Sequence, residues 1–173
     1  KKNTAVGTVM TNMGFSKFCE ANGIDFVSTK VGDRYVLESM LQNGYNIGGE
    51  QSGHIIFLDH STTGDGELSG AMLLSIMKRT GEKLSDLAKI MERYPQVLIN
   101  VKVSNEGKLS FYTDKEVKAE INRVTEILGD TGRILVRVSG TEPLVRVMLE
   151  GENLEQIQTL AEEAAQVVRE RLA

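Results

Sequence analysis

The spacing of apolar positions predicts most of the elements before any residue is given a role. Residues 4–10 are β-rich, with Ala5, Val6, Thr8 and Val9. Residues 12–22 read as a helix stopped by Gly23, and residues 24–31 as a second strand. A second helix over 33–42 is closed by Asn43-Gly44, a pair suited to the left-handed stop of a helix. Residues 45–58 hold a Gly48-Gly49 turn and then a strong strand, Ile55-Ile56-Phe57-Leu58. Strand–helix–strand–helix–strand is an α/β order. A turn cluster over 61–66 precedes a stretch, 68–78, that is apolar nearly all round (Leu68, Ala71, Met72, Leu73, Leu74, Ile76, Met77) and is expected to form a buried helix. Residues 84–93 carry Leu84, Leu87, Ala88 and Met91 at helical spacing until Tyr94-Pro95 stops them.

A domain boundary is expected there, giving an α/β domain over 1–94, a mixed sheet with flanking helices, and a smaller α+β domain over 95–173. In the second, residues 97–103 read as a strand, 105–107 as a turn and 109–112 as a short return strand. Thr113 with Glu116 three residues on has the form of a capping box, opening a helix with Val117, Ile121, Val124 and Leu128 on one face. A hairpin follows, and a last helix starts at Asn153 with Gln156 in the box position. The expected architecture is a four-stranded antiparallel sheet with both helices on one face and the other face open.

The hairpin carries the most chemistry. Ile134, Val136 and Val138 alternate on the way in, and Val145, Val147 and Leu149 on the way out. Pairing these apolar sets places Arg137 opposite Arg146 on the other face. Like charges opposed across a ladder repel, so an anion between them would explain the pair. Ser139, Thr141 and the Gly140 backbone N–H complete a phosphate cradle. The alternative is a solvated face on which each arginine has its own carboxylate, with Glu142 and Glu150 as candidates.

A second cluster, Gly48-Gly49-Glu50-Gln51-Ser52-Gly53-His54, precedes the strong strand. In an extended chain Glu50, Ser52 and His54 would share one face. Carboxylate and hydroxyl suit sugar hydroxyls, and an imidazole, which titrates near neutrality, can donate to phosphate or carry a proton. The same residues could equally serve a glycine-rich turn. Asp33 and Arg34 either face this cluster or begin the second helix, with Asp33 as its cap. Asp59, His60 and Asp65 lack a metal-ligand pattern, and Asp65 suits a helix N-cap.

Bulk properties narrow the classes. The 173 residues carry a formal net charge of −4 and no tryptophan, which argues against nucleic-acid stacking. No apolar run is long enough for a membrane helix, and Lys1-Lys2-Asn3, followed by only a short strand-like run, is not expected to be a signal peptide. A single cysteine, Cys19, excludes an internal disulfide, fits a reducing cytoplasm and is expected as a core filler. The chain opens on Lys1 rather than methionine, so a processed chain or a piece of a longer one is expected.

The Gly49-to-His54 run and the Arg137-to-Pro143 run with Arg146, in that order, resemble the sugar-binding and C-terminal phosphate-binding loops of the α-D-phosphohexomutase superfamily. Gln51 and Val31-Gly32-Asp33-Arg34-Tyr35-Val36 are most similar to its bacterial phosphoglucosamine mutase branch. The resemblance implies most of the third and all of the fourth of that family's domains. It implies a parent enzyme, an intramolecular phosphotransferase that interconverts glucosamine 6-phosphate and glucosamine 1-phosphate through a phosphoserine. The serine and the ligands of a Mg²⁺ ion would lie on N-terminal domains missing here, so no catalytic residue and no metal ligand are expected in this piece. What remains for it is positioning: Arg137, Ser139, Gly140, Thr141 and Arg146 on the non-reacting phosphate, Glu50 and Ser52 on sugar hydroxyls, and His54 on phosphate or as proton carrier. A non-catalytic scaffold, using the arginine face for a protein or another anionic partner, is the alternative of a different class.

Overall fold

A computed structural model describes residues 2–173, and the chain divides into two units, Lys1–Arg93 and Tyr94–Ala173. The first is built on a mixed four-stranded sheet. Its elements are β1 (Thr4–Thr8), α1 (Met13–Ala21), β2 (Asp25–Thr29), α2 (Asp33–Asn43), β3 (Ile47–Gly49), β4 (Ile55–Phe57), α3 (Gly66–Thr80) and the single turn α4 (Leu84–Leu87). The strand order is β2-β1-β3-β4; β1 runs parallel to both neighbours, and β3 and β4 form an antiparallel hairpin. Val6, Val36, Met40 and Ile56 make its core, with Val27, Leu37, Tyr45 and Leu58 packed around them.

Helix ends follow their local chemistry. Asn12 and Asp65 accept backbone N–H groups as N-caps of α1 and α3. Gly44, at φ 70°, closes α2 as the sequence pattern predicts. Cys19 is buried and burial pushes its thiol up, as a packed cysteine requires.

Three expectations for this unit change. Gly48 and Gly49 lie inside β3 and do not form the turn, which falls on 50–53. A Cβ on Gly48 would sit 2.7 Å from Met40 Sδ and Val36 Cγ1, so the glycine lets α2 settle directly on the strand. The helix expected over 84–93 is one turn long; the chain beyond it runs against the start of α1, where a Cβ on Gly14 would meet the Glu92 carbonyl oxygen at 1.8 Å. Most notably, α3 buries none of its residues, and Leu73, Leu74 and Ile76 are exposed. It packs chiefly on β4, the edge strand, so no second layer of this unit covers its apolar surface.

The second unit contains β5 (Gln96–Lys102), α5 (Asn105–Ser110), α6 (Lys115–Leu128), a 3₁₀ turn (Gly129–Thr131), β6 (Gly132–Val138), β7 (Leu144–Gly151) and α7 (Leu154–Leu172). Its sheet is antiparallel with order β5-β7-β6, and α6 and α7 lie on one face. The inward residues Val101, Val145, Val147 and Leu149 join Val117, Val124, Ile157, Leu160 and Val168 in the larger core. An ion-pair network of Arg123 with Glu120 and Glu163 ties α6 to α7.

The sheet has three strands where four were expected. The presumed return strand at 109–112 is instead the end of α5 and the turn after it. Ser104 caps α5 by accepting the Gly107 N–H, while the Ser104 N–H and Oγ–H are donated to the Leu172 carbonyl at 3.0 and 3.3 Å. Gly107 meets that same carbonyl: a Cβ there would fall 1.9 Å from the oxygen. A contact with the C-terminus of α7, invisible in local spacing, thus selects helix over strand. The cap of α6 is Asp114 and not Thr113; its carboxylate accepts the N–H groups of Glu116 and Val117 at 3.0 Å. The Asn153 cap of α7, accepting from Gln156 N–H, lies where it is expected.

Candidate functional site

The hairpin register places Arg137 opposite Arg146, Val138 opposite Val145, Val136 opposite Val147 and Ile134 opposite Leu149. The strand period then sorts the face away from the helices into rows. One row is Asn100, Arg146 and Arg137; another is Gln96, Glu150 and Arg133.

The two arginines differ in their surroundings. Arg146 Nη2 donates to Glu142 Oε2 at 2.9 Å, while its Nε is buried without a hydrogen-bond partner. The Arg137 side chain makes no hydrogen bond or ion pair among the described residues. Burial, and then the positive field of Arg146, hold the Arg137 guanidinium below its ordinary range. Glu150, the other candidate counter-ion, is fully buried and engaged: Arg133 donates to its Oε2 from Nε and Nη2 at 2.8 and 2.7 Å, and Gln96 donates to Oε1 at 2.8 Å. The alternative of one carboxylate per arginine therefore applies to Arg146 and not to Arg137.

The connecting loop is held from within. Ser139 is buried; its N–H donates to the Leu144 carbonyl at 2.8 Å, and its hydroxyl accepts the Glu142 N–H at 3.3 Å. That hydroxyl retains its own proton as a donor. Gly140 and Thr141 form the exposed tip, with open space where a Cβ on Gly140 would stand. Two tethers come from outside the hairpin: Val103 N–H donates to the Pro143 carbonyl at 3.0 Å, and Lys108 Nζ to the Glu142 carbonyl at 2.9 Å. Lys108 escapes the sequence reading because it belongs to the segment α5 whose type was misassigned.

On the first unit, Glu50, Ser52 and His54 do meet, but through a tight turn and not through extension. Glu50 N–H donates to the His54 carbonyl and Gly53 N–H to the Glu50 carbonyl. Ser52 Oγ donates to Glu50 Oε1 at 2.7 Å and lies 2.9 Å from His54 Nδ1. With the single hydroxyl proton given to Glu50, the second contact requires an N–H at Nδ1, which makes Nε2 of the neutral ring an acceptor. Glu50 Oε2 accepts the Gly32 N–H at 3.2 Å, so the Gly32-Asp33-Arg34 segment does adjoin this cluster. Gly32, at φ 131°, rather than Asp33 is the N-cap of α2, and the Asp33 carboxylate accepts the Arg34 N–H. Arg34 itself is exposed, pairing with Glu38 and lying over Tyr35.

The acidic residues near the turn before α3 have other roles. Asp59 accepts from Asn46, Asp65 caps α3, and among the described residues no three His, Cys, Asp or Glu side chains converge. Nor is any described helix long and apolar enough to cross a membrane.

Comparison with known proteins supplies the family. The model for phosphoglucomutase/phosphomannomutase alpha/beta/alpha domain III matches residues 1–94, and that for the phosphoglucomutase/phosphomannomutase C-terminal domain matches residues 98–167. A phosphoglucosamine mutase of Caldanaerobacter subterraneus subsp. tengcongensis is 54% identical over 172 residues, covering 99% of this chain and 38% of the relative. Among solved structures, N-acetylphosphoglucosamine mutase of Aspergillus fumigatus superposes with a TM-score of 0.85 at 19% identity, over 97% of this chain and 38% of that one. The complex of that fungal protein with GlcNAc-6P and magnesium gives a TM-score of 0.79 at 17% identity, over 98% of this chain and 39% of that one. The chain thus spans about 38% of the length of the curated relatives it matches. With both of its units matched in order, the chain belongs to the phosphoglucomutase/phosphomannomutase family.

Proposed function

We propose that this chain is the substrate-binding C-terminal part of a phosphoglucosamine mutase, acting in the cytoplasm on glucosamine 6-phosphate and glucosamine 1-phosphate. The observation that carries the reading is Arg137, half-buried beside Arg146 and without a counter-ion of its own. A phosphate dianion would supply the missing charge and accept two forked donors at once. The Gly140 N–H and the Thr141 hydroxyl at the open loop tip would complete its shell, with Ser139 ordering the loop and offering its remaining proton. On the other unit, Glu50 and Ser52 would take sugar hydroxyls, and His54 Nε2 would accept a proton or, with the ring protonated, donate to a phosphate oxygen. These groups bind and orient, which is where much of the catalysis of phosphoryl transfer lies. The fungal relative solved with GlcNAc-6P and magnesium supports a phosphosugar ligand. The phosphoserine and any magnesium ligands would belong to parts of the parent outside this chain.

Calorimetric titration of glucosamine 6-phosphate into the chain tests this. Arg137→Ala is expected to weaken binding by about 1.5–3 kcal/mol, the worth of a charge-assisted contact. The chain alone is expected to bind without interconverting the two phosphates. An affinity unchanged by the substitution would remove Arg137 from the site, and turnover by the chain alone would refute the assignment of the chemistry to other domains.

A further inference from the structure

The phosphate reading leaves Glu142 unexplained. It is an acidic residue in the loop that should attract an anion, and its carboxylate is 2.9 Å from Arg146 Nη2. We infer that Glu142 is an internal counter-ion that occupies Arg146 in the empty site and competes with the phosphate for it, so that the arginine pair releases its ligand readily. This rests on the proposed phosphate role of Arg137 and Arg146.

Three observations carry the inference. First, the backbone of Glu142 is tethered at both ends of its peptide, while its side chain is held only by Arg146 and is largely exposed. Its N–H is held by Ser139 Oγ and its carbonyl by Lys108 Nζ, but the side chain is 53% exposed. The carboxylate can therefore swing into water with little loss of packing, and its return is favoured because its anchor does not move. Second, the contact is asymmetric. Glu142 satisfies Arg146 at one Nη2, leaves the buried Nε unpaired and leaves Arg137 with no acid. A carboxylate that neutralises half of the pair at one point of contact is a replaceable partner. A dianion seated between the two guanidiniums would reach donors that Glu142 does not. Third, nothing structural requires an acid at this position: the loop is closed by the Ser139, Leu144, Val103 and Lys108 contacts, all of which involve backbone groups of the loop.

The chemistry gives such a device a purpose. In the proposed interconversion substrate and product carry their phosphate at different positions of the sugar, so the arginines must release a ligand in every turnover, and an overly tight grip would slow that release. A carboxylate poised to recapture Arg146 compensates the charge of the vacated site as the ligand leaves.

The test is titration of inorganic phosphate into the chain, followed by amide shifts of Gly140 and Thr141 in two-dimensional NMR, for the native sequence, Glu142→Gln, Glu142→Asp and Arg137→Ala. Glu142→Gln is expected to bind phosphate about two- to fivefold more tightly, the range of an exposed ion pair that no longer has to be broken. Glu142→Asp keeps the charge but shortens the reach to Arg146, and is expected to fall between native and Gln. Dissociation of phosphate from Glu142→Gln should slow in proportion. If the native chain binds in an Arg137-dependent way while Glu142→Gln binds equally or more weakly with its hairpin shifts intact, the counter-ion role is overturned and the phosphate site stands. If neither binds, the phosphate reading itself fails, and this inference with it. Should only the Gln variant bind detectably, competition by Glu142 is established directly.

Discussion

Replacing Arg133 by methionine should unlock the second unit, and the size of the effect follows from the surroundings of Glu150. That carboxylate has no exposed surface and takes hydrogen bonds from Arg133 Nε, Arg133 Nη2 and Gln96 Nε2. Arg133→Met removes two of these and the compensating charge from a carboxylate that stays buried. Breaking a buried pair from one side costs about 3–5 kcal/mol. Because the Arg133 side chain is 33% exposed, some hydration of the pair survives, and the lower end, ~3 kcal/mol, applies. Units of this size have stabilities of order 4–12 kcal/mol, so the loss is a large share. Amide exchange at Val147 and Leu149 on β7, which report opening of this unit alone, should accelerate by about two orders of magnitude. The double variant Arg133→Met with Glu150→Leu should recover most of the loss, since no ion is then left buried. Exchange rates in the single variant within about threefold of native, under 1 kcal/mol, would refute the reasoning. They would mean that Glu150 finds water or another donor at no cost.

Two further outcomes follow from the second unit. Gly107→Ala must separate α5 from the end of α7, because the new methyl would fall 1.9 Å from the Leu172 carbonyl oxygen; a fall in stability of about 1–3 kcal/mol is expected from the urea midpoint, and an unchanged midpoint would show that the two segments do not touch. Asp114→Asn should destabilise at neutral pH but not in acid. The Val117 N–H, with Arg171 adding to it, holds the Asp114 carboxyl below its ordinary 3.8, so its contribution is fully present above that value and is lost as pH falls through the lower folded-state value. A difference between native and Asn chains that persists unchanged to the lowest pH at which both fold would count against it.

Much of this protein was legible in local pattern. Alternation in the hairpin gave its register and hence the opposition of Arg137 and Arg146, because a strand has a period of two and an apolar face admits one pairing. The α/β order of the first unit, the Gly44 stop of α2 and the Asp65 and Asn153 caps were equally readable, since turns and caps depend on a few neighbouring residues. The likeness of the two loops to sugar-phosphate enzymes also lay in the residues themselves.

What the chain could not disclose one segment at a time was set by contacts between distant residues. Residues 105–110 became a helix because Ser104 and Gly107 meet the carbonyl of Leu172, and that helix brings Lys108 to the loop between β6 and β7. The apolar character of α3 stated how much surface it could bury, but the topology put it beyond the edge strand β4, where no layer of its own unit covers it. Only the folded sheet decided which acid belongs to which arginine: Glu150 to Arg133, Glu142 to Arg146 and, among the described residues, none to Arg137. Such pairings turn on ångström distances between strands, which composition and spacing do not encode. The free charge they leave behind is the feature on which the proposed phosphate site depends.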